Sequence, residues 1–154
     1  MSLNYTKKTM QHFRNPHNIG EMKNPDAVAD VGNMVCGDQL SFSIKVKAGK
    51  ISDIKFLSFG CASNIATASV MTEMVKGMTL HEAKTFDWNR IVKKLEGLPQ
   101  QKIHCSILAV EGLREVISAY EKKHPEIFEK AKVKKTTTKP KVKKTVTTKK
   151  KIKK

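Results

Sequence analysis

Residues 38–46 read DQLSFSIKV, and in that run Leu40, Phe42, Ile44 and Val46 alternate with Ser41, Ser43 and Lys45. Side chains on a strand alternate between its two faces, so this pattern specifies a strand with one apolar and one polar face. Ala48-Gly49-Lys50 supplies a turn, and ISDIKFLSF continues as a second strand with Ile54 and Phe56 on one face. The two runs predict an antiparallel hairpin. A hairpin that buries one face needs a cover, and the chain offers helices for it. Gly60 ends the second strand, and the stretch ASNIATASVMTEMVKG after Cys61 suits a helix by its Ala, Met and Glu content, with Gly77 at the expected left-handed cap. Ala62, Ser63, Ala66 and Ser69 keep that helix thin enough to approach the sheet closely.

Further helical material spans about residues 79–95. From Ser106 onward, Ile107, Val110, Leu113, Ile117 and Tyr120 recur at three- and four-residue steps, which predicts an amphipathic helix broken near His124-Pro125. At the N-terminal end, Tyr5, Met10 and Phe13 fall near one face of a short helix that Pro16 stops. Residues 15–35, rich in Asn, Pro, Gly and Asp, read mostly as loop. The expected fold is α+β, a small and mainly antiparallel sheet packed against helices.

The formal net charge of +16 is unevenly placed. Residues 132–154 hold twelve lysines and no acid, so residues 1–131 carry the remaining +4. Such a segment, KVKKTTTKPKVKKTVTTKKKIKK, has too little apolar surface to offset the entropy of ordering and reads as a disordered tail. The expected organisation is one domain over 1–131 followed by that tail. Twelve lysines would bind polyanions nonspecifically. The tail has no aromatic residue to stack on bases and no arginine for bidentate base contacts, so sequence-selective nucleic-acid recognition is not expected. The start, MSLNYTKKTMQHF, lacks the apolar core of a signal peptide, and no apolar run reaches membrane-spanning length. With an odd count of three cysteines, a cytoplasmic protein with free thiols is expected.

Those cysteines sit at element ends. Cys36 precedes Gly37-Asp38 just before the first strand, Cys61 lies between strand and helix, and Cys105 follows His104 near the start of the last helix. A lone free cysteine packs readily as a small apolar side chain. At a helix start, however, exposed amides favour the thiolate, the form that binds soft metals and attacks sulfur. Spacing alone, without a CxxC pair, leaves both readings open, as it leaves Asp38 between turn residue and ligand and His104 between cap and ligand.

The blocks VCGDQLSFSIKV, FLSFGCASNIATASVMTEMVKGMTL and KIHCSILAVEGLREVI resemble, in that order, the IscU/NifU-type iron–sulfur cluster assembly scaffolds, as does the N-terminal YTKKTMQHFRNPHNIG. The resemblance covers about residues 5–121. It implies that Cys36, Cys61 and Cys105 are cluster and metal ligands, with Asp38 or His104 completing the shell. It implies a [2Fe–2S] cluster assembled from iron and desulfurase-derived sulfur and passed to apo-proteins, with Asp38 keeping the cluster exchangeable. The implied partners are a cysteine desulfurase, an electron-donating ferredoxin and apo iron–sulfur acceptors, and the implied state is monomer or homodimer.

Cys105 is the expected persulfide acceptor, by its helix-start position and basic neighbours. Lys102 is expected either to pair with Asp38 in the metal-free protein or to stabilise a thiolate, or else to be a solvated lysine. Three thiolates with Asp or His would also hold zinc. The chain departs from the family at Leu98-Pro99-Gln100-Gln101-Lys102, where bacterial Isc members carry LPPVK, the segment read by a dedicated Hsp70-type chaperone. That departure puts the chaperone partnership in doubt. The alternative function on the same fold is a zinc-dependent Suf-type sulfurtransferase. Its members typically carry an insertion between the second and third cysteines and lack the histidine beside the third, and this chain shows no inserted block and has His104.

Overall fold

A computed structural model describes residues 4–127. Within it, the described residues up to Lys123 form one compact unit, and a second unit begins at His124. The expected domain limit at residue 131 and the lysine-rich segment 132–154 lie outside the described residues. Among the described residues no helix is long and apolar enough to cross a membrane.

The sheet is a three-stranded antiparallel meander of β1 (Ala27–Gly32), β2 (Gln39–Lys47) and β3 (Lys50–Phe59), in that order. The predicted hairpin is β2–β3, in register through Phe42↔Phe56 and Ile44↔Ile54, with an irregularity at Lys45/Val46. Leu40, Phe42, Ile44, Ile51, Ile54 and Phe56 are buried beneath the helices. Strand β1 falls inside the stretch read as loop. Its inward positions are Ala27, Ala29 and Val31, while Val28 points outward and is 47% exposed. Small inner residues carry almost no hydrophobic pattern, yet they are what lets a helix lie close. At Gly112, an added Cβ would stand 2.5 Å from Phe42 Cε2 and 2.9 Å from Val31 Cγ2, so helix and sheet meet there at backbone distance.

Five helices complete the unit: α1 (Lys7–Arg14), α2 (Ala62–Val75), α3 (Leu80–Lys84), α4 (Asn89–Lys94) and α5 (Ile103–Lys123). α5 packs on β1 and β2 and α2 on β3, with α1 against the far side of α2. Buried on nearly every side, α2 presents Ser63, Thr67, Ser69 and Thr72 as well as Val70, Met71 and Val75 to its neighbours. α3 begins with a capping box between Thr79 and Glu82.

Two expected apolar faces differ in the structure. On α1 the fully buried residue is Thr9, whereas Phe13 is 37% exposed. The reason is the partner. α2 meets this end of the chain with hydroxyls, so His12 Nδ1 contacts Ser69 Oγ at 2.9 Å, the His17 amide donates to the same oxygen at 2.8 Å, and Asn18 Nδ2 donates to Thr72 Oγ1 at 3.1 Å. On α5 the stripe runs through Leu108, Ala109, Val110, Leu113, Val116, Ile117 and Tyr120, while Ile107 is 37% exposed and is not a core residue. The helix also starts earlier than the apolar pattern does. A 3-10 turn over Gln100–Lys102 leads directly into it, so Leu98–Lys102 forms the entry to α5.

Candidate metal centre

Three chain segments end at one point. The β1–β2 connection is closed at its base by the Asn33 amide donating to Asp38 O at 2.9 Å and the Gly37 amide donating to Asn33 O at 2.8 Å. Gly37 takes φ +73°, a left-handed conformation that suits glycine. The Asn33 side chain accepts from the Val35 amide at 2.9 Å and organises a turn that carries Cys36 into solvent. Asp38 then turns inward and is 4% exposed. Cys61 caps α2 from an extended backbone, half-buried. His104 and Cys105 occupy the first turn of α5, and Cys105 is fully buried.

Asp38 is the hub. Its Oδ1 accepts the Cys61 amide at 3.2 Å, and its Oδ2 lies 3.8 Å from Cys61 Sγ, 3.5 Å from Cys105 Sγ and 3.8 Å from His104 Nε2. Cys61 Sγ and Cys105 Sγ are 3.8 Å apart, and His104 Nε2 is 3.6 Å from Cys105 Sγ. Cys36 joins Asp38 and His104 in a second donor group, so the five candidate ligands fall into two groups of three that share Asp38. A tetrahedral ion with bonds of about 2.3 Å to sulfur sets a sulfur–sulfur edge of roughly 3.8 Å. The Cys61–Cys105 separation matches that edge, and the donor set of soft thiols with a carboxylate and an imidazole suits zinc or iron.

Proton distribution within the pocket differs from the helix-start expectation. Cys61 is pulled down to about 5, first by the hydrogen bond it receives from Cys105, then by the backbone amide of Asn64 and the charge of Lys102, against the opposing effects of burial and Asp38. Cys105 is pushed up out of the thiol range, because it donates to Cys61, is buried, and faces the Asp38 carboxylate. The two sulfurs titrate as a pair, with Cys61 drawn toward the thiolate and Cys105 toward the thiol. The charge of Cys61 is the chief influence that holds Lys102 protonated.

Gly60 went unrecognised in the sequence beyond ending a strand. A Cβ there would stand 2.5 Å from Asn64 Nδ2 and 2.6 Å from Asp38 Oδ1, so the glycine makes room for both. Asn64 in turn donates to Ser58 Oγ at 3.1 Å and Gln39 O at 3.4 Å, stitching α2 to the ends of β2 and β3. Only the direct succession Gly60-Cys61 hinted at this.

The NifU-like N terminal domain family matches residues 4–126. The chain belongs to that family. Among curated NifU-family relatives, it is 48% identical over 123 residues to the iron-sulfur cluster assembly scaffold protein IscU 1 of Archaeoglobus fulgidus, covering 80% of each chain. It is 41% identical over 135 residues to the IscU scaffold of Aquifex aeolicus, covering 86% of each. Among solved structures, the N-terminal part of a nitrogen-fixing NifU-like protein from Brucella abortus superposes with a TM-score of 0.60 at 25% identity, over 76% of this chain and 94% of that one. The α+β meander with its helical cover is therefore a NifU-family fold.

Proposed function

We propose that the protein is a scaffold on which a [2Fe–2S] cluster is assembled from iron and sulfur and from which it is passed to apo-proteins. The observation that carries this reading is the mixed donor set gathered around one buried carboxylate: Cys36, Asp38, Cys61, His104 and Cys105. Four thiolates make a durable iron–sulfur site. Three thiolates with a carboxylate or imidazole leave one ligand exchangeable, which is what a carrier of a transient cargo needs. In this reading Asp38 keeps the cargo labile, and either Asp38 or His104 fills the fourth position. Relatives 41–48% identical bear the name of iron–sulfur scaffolds, which supports extending the role to this chain.

Sulfur arrives from a cysteine desulfurase as a persulfide. A scaffold thiolate attacks the outer sulfur, the bond to the desulfurase cysteine breaks, and that cysteine leaves as a thiolate. We assign the accepting role to Cys105, which must first pass its proton to the Cys61 thiolate 3.8 Å away and lose the cover of Asp38; iron drawing Asp38 into coordination would remove that cover. Reducing the transferred sulfur to sulfide takes two electrons, the part assigned to an electron-donating ferredoxin. Zinc would occupy the same donors in the cluster-free protein.

Anaerobic reconstitution with ferrous iron, cysteine, a desulfurase and reduced ferredoxin tests the proposal. Visible cluster absorption on the protein, followed on adding an apo-ferredoxin by loss of the cluster from the separated scaffold and its recovery in the ferredoxin, is the expected result. Retention of one tight zinc with no cluster, and sulfur relayed catalytically to a thiol acceptor, would replace the scaffold with the sulfurtransferase.

A further inference from the structure

A second group of ligands lies at the other end of α2. His12 in the last turn of α1, His17 in the loop after it and Glu73 near the end of α2 each offer a donor atom, and these atoms lie within 4.8 Å of one another. Glu73 is twelve residues beyond Cys61 on the same helix, about 18 Å along its axis at 1.5 Å per residue, so this group is separate from the cysteine pocket. His17 Nδ1 contacts Glu73 Oε1 directly. The two imidazole rings meet edge to face, with centroids 5.3 Å apart.

The support behind these donors is built into the fold. Ser69 is fully buried, and its hydroxyl holds both histidines: it meets His12 Nδ1 at 2.9 Å and accepts the His17 amide at 2.8 Å. Outer hydrogen bonds that fix ring orientation are what a metal-binding histidine needs. Asn18, next in the chain, is tied to Thr72 on the same helix at 3.1 Å. Glu73 and His17 are exposed and meet each other at the surface, while His12 is half-buried and held by Ser69.

We propose that His12, His17 and Glu73 form a second metal site, for a divalent transition ion of the zinc type, that clamps the N-terminal helix to α2. Two imidazoles and a carboxylate without any thiol favour zinc or a neighbouring divalent ion, and leave positions open to water. The ion would join three places in the chain: the end of α1, the loop after it, and α2. That loop continues into Asn18–Gly20, whose backbone bonds to both sides of Phe56 on β3. Occupancy therefore stabilises the N-terminal third of the unit without touching the cysteine pocket.

Zinc stoichiometry of the full-length protein, measured by elemental analysis after dialysis against a weak competing chelator, tests this. Wild type is expected to hold two zinc ions per chain, and His17→Ala and Glu73→Gln one each. The Cys36→Ser/Cys61→Ser/Cys105→Ser variant is expected to keep one, and its cobalt form should show d–d bands without thiolate charge-transfer absorption. Ser69→Ala is expected to weaken this second ion on the order of tenfold. Zinc should raise the melting temperature of the cysteine-free variant and leave that variant unmoved once His17→Ala is added. If the cysteine-free variant does not fold, the comparison of wild type with His17→Ala decides. Equal zinc content in those two proteins overturns the clamp and leaves the scaffold reading untouched. A second ion that persists where cluster assembly fails overturns the scaffold reading alone.

Discussion

α2 and α5 start at the same pocket, and each brings a cysteine to it. Their sulfurs lie 3.8 Å apart, yet their acidities are pushed in opposite directions. Cys61, half-buried and near the charge of Lys102, is pulled toward the thiolate; Cys105, fully buried against Asp38, is pushed toward the thiol. A helix N-terminus favours a thiolate at either position. Burial and the neighbouring carboxylate decide between them, and both are properties of the assembled pocket.

The sharpest way to break this comparison is alkylation of the metal-free protein, followed by peptide mass spectrometry. Cys61 loses its proton as pH rises through about 5, so its reaction with iodoacetamide should already be on its plateau at pH 7. An ordinary thiol would still be gaining rate up to about pH 8.5. Cys105 should react at least about 100-fold more slowly than Cys61 until the protein is unfolded, because thiolate content and access both oppose it. Comparable rates at the two sites would erase the distinction. Lys102→Gln should move the Cys61 midpoint upward, and added salt should do the same, since the lysine acts through a partly exposed charge.

Removing the shared neighbour comes next. Asp38→Ala takes away the carboxylate that both sulfurs face, and cluster transfer to an apo-ferredoxin should slow by roughly tenfold, because the remaining ligands are softer and exchange less readily. Equal or faster transfer would show that Asp38 does not set lability. The same variant should lower the pH at which Cys105 titrates.

Gly60→Ala should cost about 1–3 kcal/mol of stability in urea unfolding, through the overpacking its Cβ forces on Asn64 and Asp38. It should also change the Cys61 alkylation profile, since Asp38 Oδ1 holds the Cys61 amide. The smallest effect is expected from deleting residues 132–154, which should leave the assembly rate unchanged. A large loss would tie the lysines to a partner in the reaction.

Much of this architecture could be read from residue patterns, for particular reasons. The β2–β3 hairpin announced itself because Leu40, Phe42 and Ile44 are large and their outward neighbours polar. Strand β1 did not, because its inner residues Ala27 and Ala29 are small enough to admit α5. The buried face of α1 carries little hydrophobic pattern for a similar reason: it meets hydroxyls on α2, so Thr9 and His12 matter there more than Phe13. The five donors stood out through cysteine placement and family resemblance. Asp38 as the hub and the split between the two thiols depend on contacts between residues 23 to 67 positions apart, and the need for Gly60 depends in part on Asp38, which no local pattern encodes.

The meander also gives the pocket an order of assembly. Asp38 and Cys61 flank the paired ends Gln39↔Phe59 of a single hairpin, so folding that hairpin brings them together along with Cys36. His104 and Cys105 arrive only when α5 docks, across a much longer stretch of chain, and long-range contacts of that kind close late. Three of the five donors therefore belong to a local structure and two to a docked helix. Any ion bridging the two halves acts as a rivet on α5, and the affinity of the pocket for its cargo is at the same time a measure of how firmly that helix is seated.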